Sequence, residues 1–164
     1  MTTVLAGHTA PAFSLPGVDG TKLSLADALK KGPVIAAFFK ISCPVCQYTF
    51  PFLERLHRAY GNEQVTFWGI SQDGVRDTKD FCQEYGITFP ALIDEKGYPV
   101  SNAFGLTTVP TLLLIGPDGM VRVSGNGFSK KELEKISEEL GRHLKKPAAQ
   151  VFLSDEIVPD YKPG

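Results

Sequence analysis

Cysteine, histidine, tryptophan and any excess of one charge are all scarce in this chain, and each shortage excludes something. Three cysteines in 164 residues are too few for a disulfide scaffold of the kind that staples small secreted domains. A zinc site would need two ligands beyond the one close cysteine pair, and Cys82, His8, His57 and His143 stand singly, without ligand spacing. Seventeen basic residues against eighteen acidic ones leave a formal net charge of −1, so there is no basic field to hold nucleic acid. The longest strictly apolar run is Val34 to Phe39, whereas a helix needs roughly 20 residues to cross a bilayer; no membrane span is expected. The opening Met-Thr-Thr-Val-Leu-Ala-Gly-His has neither a basic n-region nor an apolar h-region. As written, the chain is expected to be cytoplasmic, and periplasmic or membrane-anchored if a signal was removed ahead of it.

What remains is ordinary for a globular protein: 43% hydrophobic and 21% charged residues, at a length that supports one domain with a proper core but not two. Against that background one feature stands out. Cys43-Pro44-Val45-Cys46 follows directly on the apolar run and opens a helical pattern, which puts two thiols three residues apart at a strand-to-helix junction. Residues i and i+3 share a helical face, so the sulfurs can approach each other. A thiol at a helix N-terminus feels orphan N–H groups and the positive end of the dipole, and such thiols ionise more easily. Pro44 suits the first helical position, where its missing N–H is harmless. The pattern points to dithiol/disulfide chemistry, against the blander readings of two small core side chains or half a zinc site.

The surrounding pattern supplies a scaffold. Residues 13–25 read as two short strands around a Gly/Asp turn, with a helix starting at Ser24 or Leu25. Pro33 to Lys40 is apolar on both faces, as a central strand covered by helices on both sides must be. The helix after the cysteines carries Phe50, Leu53, Leu56 and Tyr60 at helical spacing, with Pro51 predicting a kink. Val65 to Ser71 is a second buried strand. Val75 to Tyr85 is a helix closed by Gly86. After Phe89 to Asp94 and a short helix near Val100 to Phe104, the segments Thr111 to Ile115 and Met120 to Gly125 flank Gly116-Pro-Asp-Gly119, a hairpin turn signal. Ser129 and Glu132 form a capping-box pattern for a last amphipathic helix, which Pro147 is expected to stop. The division expected is a domain over residues 1–146 and an extended or mobile tail over 147–164.

Taken in order, a hairpin, β, a CxxC helix, β, α, a β-hairpin and α, together with Cys43-Pro-Val-Cys46 and Thr108-Val109-Pro110-Thr111, resemble the thioredoxin-like superfamily over about residues 5 to 145. The segments Ala10 to Gly20, Tyr85 to Pro90 and Val109 to Gly119 look like its TlpA/ResA branch, related to the redoxin (AhpC/TSA) group. The resemblance implies an α/β thioredoxin-like fold: a central mixed β-sheet flanked by helices on both faces, with an N-terminal β-hairpin extension. It also implies that Pro110 is cis and faces the dithiol, leaving the backbone of Val109 free to pair with an extended substrate segment. Val109 and Pro110, with Pro44 and Val45 between the thiols, are then the substrate-binding residues. Pro51 matches the family's helix-kinking proline.

This chain departs from the family's pattern around the thiols. The aromatic before the first cysteine is Ser42, the basic residue after the second is Gln47, and the two positions where relatives carry an acid are Ala37 and Thr49. No carboxylate is expected beside Cys46 from either.

The implied activity is a thiol-disulfide oxidoreductase in which Cys43 attacks, forms a mixed disulfide with a protein partner, and is resolved by Cys46. The uncharged Pro-Val pair favours the reducing direction. Partners would be protein thiols or disulfides and a recycling reductase or dithiol donor, with no cofactor and no metal. Two other classes stay open: a thiol peroxidase of the peroxiredoxin type, and a redox-inert module that holds peptides at Val109-Pro110. Peroxiredoxin sites carry a hydroxyl three residues before the cysteine, where this chain has Lys40 before Cys43 and Cys43 before Cys46. Cys82 reads as core. Lys40 reads as a solvated surface lysine ahead of a partner for Cys43, His57 as part of a solvated face, and Trp68 and Tyr48 as packing.

Overall fold

A computed structural model of the protein describes residues 3–62 and 64–164; Met1 and Thr2, part of the N-terminal stretch read for a signal, lie outside them. Its centre is the strand β3 (Val34–Phe39), all six of whose residues are buried, which is the environment that an unbroken apolar run demands. β1 (Ser14–Pro16) and β2 (Lys22–Ser24) precede it as an antiparallel hairpin, and Ser24 caps the short helix α1 (Leu25–Leu29) by accepting the Asp27 N–H. α2 (Pro44–Tyr60) follows β3 and leads through β4 (Thr66–Ser71) to α3 (Val75–Tyr85). Next come β5 (Ala91–Ile93), α4 (Pro99–Ala103), the hairpin β6 (Thr111–Ile115) and β7 (Val121–Asn126), then β8 (Phe128–Ser129), α5 (Lys130–Leu144) and β9 (Tyr161–Lys162).

The main sheet runs β5-β4-β3-β6-β7. Its β5, β4 and β3 are parallel, while β6 and β7 are antiparallel to their neighbours. The mixed sheet and the N-terminal hairpin are the expected arrangement. Successive β3 side chains point to opposite faces. Ile35, Ala37 and Phe39 pack with Phe50 and Leu53 of α2, Phe81 of α3, and Leu133 and Ile136 of α5. Val34, Ala36 and Phe38 pack with Leu15, with Leu25 of α1 and with Val100 of α4. Helices therefore cover both faces, and the C-terminal end of β3 hands the chain directly into α2.

One local expectation is corrected. His57 does not lie on a solvated face: its ring sits edge-on against Phe67 and Phe89 at 5.3 and 5.7 Å, because this face of α2 is the one laid on β4. Burial there lowers its pKa, with Glu54 opposing. α2 continues on both sides of Pro51, and α5 stops ahead of Pro147, with Lys145 in the left-handed conformation and the Lys146 N–H returning to the Gly141 carbonyl at 2.8 Å.

The stretch 147–164 is extended and packed onto the body. Val151 and Phe152 are buried in the cluster that α2 and α5 form, so the core is not closed at residue 146. Ser137 Oγ donates to the Ala149 carbonyl at 2.8 Å, and Tyr60 Oη accepts the Ala149 N–H. Arg55 meets Glu156 in a two-pronged ion pair, 2.6 Å on each prong. Finally β9 pairs antiparallel with β8, Phe128 opposite Lys162 and Ser129 opposite Tyr161.

Candidate active site

The two cysteines arrive at their places for different reasons. Cys43 is the N-cap of α2: its backbone is extended, Pro44 stands at the first helical position, and its sulfur accepts the Cys46 N–H at 3.2 Å. An oxygen side chain normally takes that role; here a half-exposed sulfur does. Cys46 lies one turn inward, fully buried against the β3 and α2 cluster. Burial pushes its thiol well above the ordinary range, the hydrogen bond with Cys43 adds to the rise, and the Lys40 backbone pulls the other way. Both cysteines are free thiols. One partner is therefore presented to solvent and the other is held protonated beneath it.

Facing them is the loop before β6. The Val109–Pro110 peptide is cis, and the Cys43 thiol lies 3.5 Å from the Val109 carbonyl, to which it donates. The loop is held from behind: Thr111 Oγ1 donates to the Thr108 carbonyl at 2.8 Å, and the Gly127 N–H donates to the Pro110 carbonyl at 2.8 Å. None of the hydrogen bonds among the described residues uses the Val109 N–H. Cys43, Val109 and Pro110 are thus brought together, with exposed Pro44 and half-buried Val45 on the adjoining first turn of α2. A cleft of about 420 Å³ opens beside Cys43, lined by Lys40, Gln72, Tyr98, Leu106 and Thr108 among others. Lys40 is half-buried there, its ammonium 5.8 Å from the Tyr98 ring centre, which gives the cleft one positive charge.

Sequence reasoning missed Asp73. Its carboxylate accepts the Ile41 N–H at 2.8 Å, while Gln47 Nε2 donates to the Ile41 carbonyl at 2.9 Å, so the link from β3 to Cys43 is clamped from two sides. Asp73 is itself set by Ser71, whose hydroxyl accepts the Asp73 N–H at 3.0 Å. Its charge also opposes ionisation of Cys46. Ser71-Gln-Asp-Gly74 reads as a turn at a strand end, but its reach to Ile41 follows from the β3–β4 register, which sets Phe39 beside Ser71.

The other candidates fall outside the site. Thr49 is buried and spends its hydroxyl on the Val45 carbonyl at 2.7 Å. Cys82, half-buried on α3, flanks the core cluster, and burial followed by the Glu54 charge pushes its thiol up to about 11. Trp68 is buried in the opposite cluster. Tyr48 packs edge-on against Phe128 and Phe52. Among the described residues no group of three histidine, cysteine or acidic side chains could hold a metal ion.

Comparison with known proteins finds relatives along most of the chain. The model of the AhpC/TSA family matches residues 6–124. The chain is 31% identical over 135 residues to the thiol-disulfide oxidoreductase ResA of Halalkalibacterium halodurans, covering 81% of this chain and 76% of that protein. It is 30% identical over 133 residues to the thioredoxin-like protein YneN of Bacillus subtilis, covering 79% and 76%. Among solved structures, the thioredoxin domain of a thiol-disulfide oxidoreductase from Bacteroides vulgatus superposes with a TM-score of 0.73 at 21% identity, over 84% of this chain and 98% of that one. The peroxidoxin BcpB of Mycobacterium tuberculosis does so at 0.69 and 23%, over 87% and 97%. At such identities the two structures speak for a shared thioredoxin-like fold.

Proposed function

Because this chain belongs to the AhpC/TSA family, we propose that it is a thiol-disulfide oxidoreductase acting on protein partners through Cys43 and Cys46, with the reduced dithiol as electron donor. One observation carries the reading: a half-exposed sulfur capping a helix lies 3.5 Å from the carbonyl that precedes a cis-proline, with a second, buried thiol one turn behind it.

The Cys43 thiolate attacks one sulfur of a partner disulfide; that S–S bond breaks, and a mixed disulfide forms while the partner's other sulfur leaves as thiolate. The incoming segment lies along Val109, whose N–H and carbonyl offer one donor and one acceptor, and passes over Pro110, Pro44 and Val45. Cys46 then gives up its proton and attacks the Cys43 sulfur; the bond between Cys43 and the partner breaks as the intramolecular disulfide forms, and the partner sulfur that leaves takes the proton. Two electrons have passed from the dithiol to the partner. A high Cys46 pKa in the free protein keeps the resolving thiol from competing for the incoming disulfide.

The test is reduction of insulin disulfides by wild type, Cys43→Ser and Cys46→Ser, with the potential of the pair measured in graded glutathione or dithiothreitol buffers. Cys43→Ser should abolish turnover, and Cys46→Ser should accumulate the mixed disulfide. A potential near −270 mV, about that of thioredoxin, identifies a reductant, and one near about −120 mV a disulfide donor. Failure of the pair to oxidise at any poise would overturn the reading. The peroxidase alternative asks for a hydroxyl three residues before the attacking cysteine, and Lys40 stands there.

A further inference from the structure

The extended stretch after α5 does not run free over the protein surface; it is led to the site. Its root is firmly held by buried Val151 and Phe152 and by the Arg55–Glu156 pair. Its tip is held lightly. β9 makes a ladder of only two residues, Tyr161 is 54% exposed, and the remaining ties are the Lys130 N–H to the Asp160 carbonyl at 3.0 Å and the Lys162 ammonium 4.8 Å from the Tyr48 ring centre. Tyr48 lies two residues beyond Cys46.

The tip then lies against the edge that a partner would need. Gly164 packs so closely on the cis-proline loop that a Cβ there would run into the Val109 carbonyl and stand 2.9 Å from Thr108 Oγ1. This is the same carbonyl that the Cys43 thiol faces. Gly127, whose N–H holds Pro110, lies under the same segment: its φ is +70, and an added Cβ would meet the Lys162 carbonyl. Two glycines thus permit the close approach, one on each side of the contact.

We propose that residues 161–164 are a built-in occupant of the partner-binding edge, which an extended protein segment must displace before its backbone can lie along Val109. The inference rests on the reading of Cys43 and Val109 given above. The cleft on the Lys40 and Tyr98 side, which Gly164 and Val109 border, still opens on Cys43, so a small disulfide can reach the sulfur past the segment. The segment is therefore a specificity element: it lowers the rate with extended protein disulfides relative to small ones. A site that is open only one-tenth of the time binds its partner about tenfold more weakly than an open one.

The experiment uses the full chain. Gly164→Leu places a side chain where none fits and pushes the tip off Val109, while leaving Val151, Phe152 and Glu156 in place. Reduction of insulin and of bis(2-hydroxyethyl) disulfide is measured for wild type and variant. The ratio of the insulin rate to the small-disulfide rate should rise about tenfold in Gly164→Leu. An unchanged or lowered ratio, with insulin still reduced by both proteins, overturns the occupant and leaves the dithiol reading standing. Absence of insulin reduction by both proteins overturns the reading and the occupant together.

Discussion

Cys43 and Cys46 are the same side chain in two solvents. Cys43 stands half in water with a backbone N–H aimed at its sulfur, and Cys46 has no exposed surface. Each pKa unit above ambient pH removes nine-tenths of the remaining thiolate, and the thiolate is the species that reacts. Iodoacetamide at pH 8 should therefore alkylate Cys43 about a hundredfold or more faster than Cys46, read by peptide mass spectrometry. Cys82, pushed up to about 11 by burial and by Glu54, should lag as well, since about one thousandth of it is ionised at that pH. Equal labelling of the three would show that Cys46 is not sealed under its partner.

At the scale of elements, the site is a junction of three chain ends: the exit of β3, the exit of β4 and the entry to β6. Asp73 joins the first two by accepting the Ile41 N–H. A hydrogen bond to a charged group contributes about 1.5–3 kcal/mol, less where it is half exposed. Asp73→Ala should lower the melting temperature by about 3–6 °C in a chain of this length, and calorimetry with no change would mean that Gln47 alone holds the loop.

This junction also marks how far sequence carries. The dithiol was legible because a CxxC after a buried strand has few other meanings, and the strand itself because six successive buried positions in β3 leave no polar face. The ends of α1 and α5 were legible in Ser24 and Ser129, each accepting an N–H three residues on. Asp73 was not, because its partner lies 32 residues away in sequence and is chosen by a parallel register that no local pattern encodes. His57 was misread for a related reason: Arg55 and Arg58 beside it are polar, but β4 lies under its side of the helix. Two acid positions of the resemblance are empty at Ala37 and Thr49, yet an acid does reach the neighbourhood of Cys46, from the other strand.

For the whole molecule, the question is what keeps residues 147–164 on the body, since composition alone left them without a period or an apolar face. Two carboxylates tie distant parts of the chain to α2, and both are acid-sensitive. Glu54 is opposed by its burial, but the Thr88 hydroxyl at 2.6 Å, the Thr88 N–H at 2.8 Å and Arg58 outweigh that cost and lower its pKa. Glu156 is brought down to about 2, first by the Arg55 guanidinium and then by the Leu153 N–H. A carboxylate whose folded pKa lies below its unfolded one contributes stability above the unfolded value and loses it as pH falls through the folded one. For Glu156 that window runs from 4.5 down to about 2; Glu132, which burial raises despite Lys135, works in the opposite sense. The urea midpoint of the wild type should therefore fall between pH 4.5 and pH 2. Glu156→Gln should start lower at neutral pH and fall less across that window, because it has no charge left to lose. Hydrogen exchange should find residues 150–158 less protected in the variant at pH 7 and in the wild type at pH 2.5, while β3 keeps its protection in the variant. A wild-type acid profile that survives the substitution unchanged would mean that Arg55 does not anchor the stretch, and that Val151 and Phe152 hold it alone.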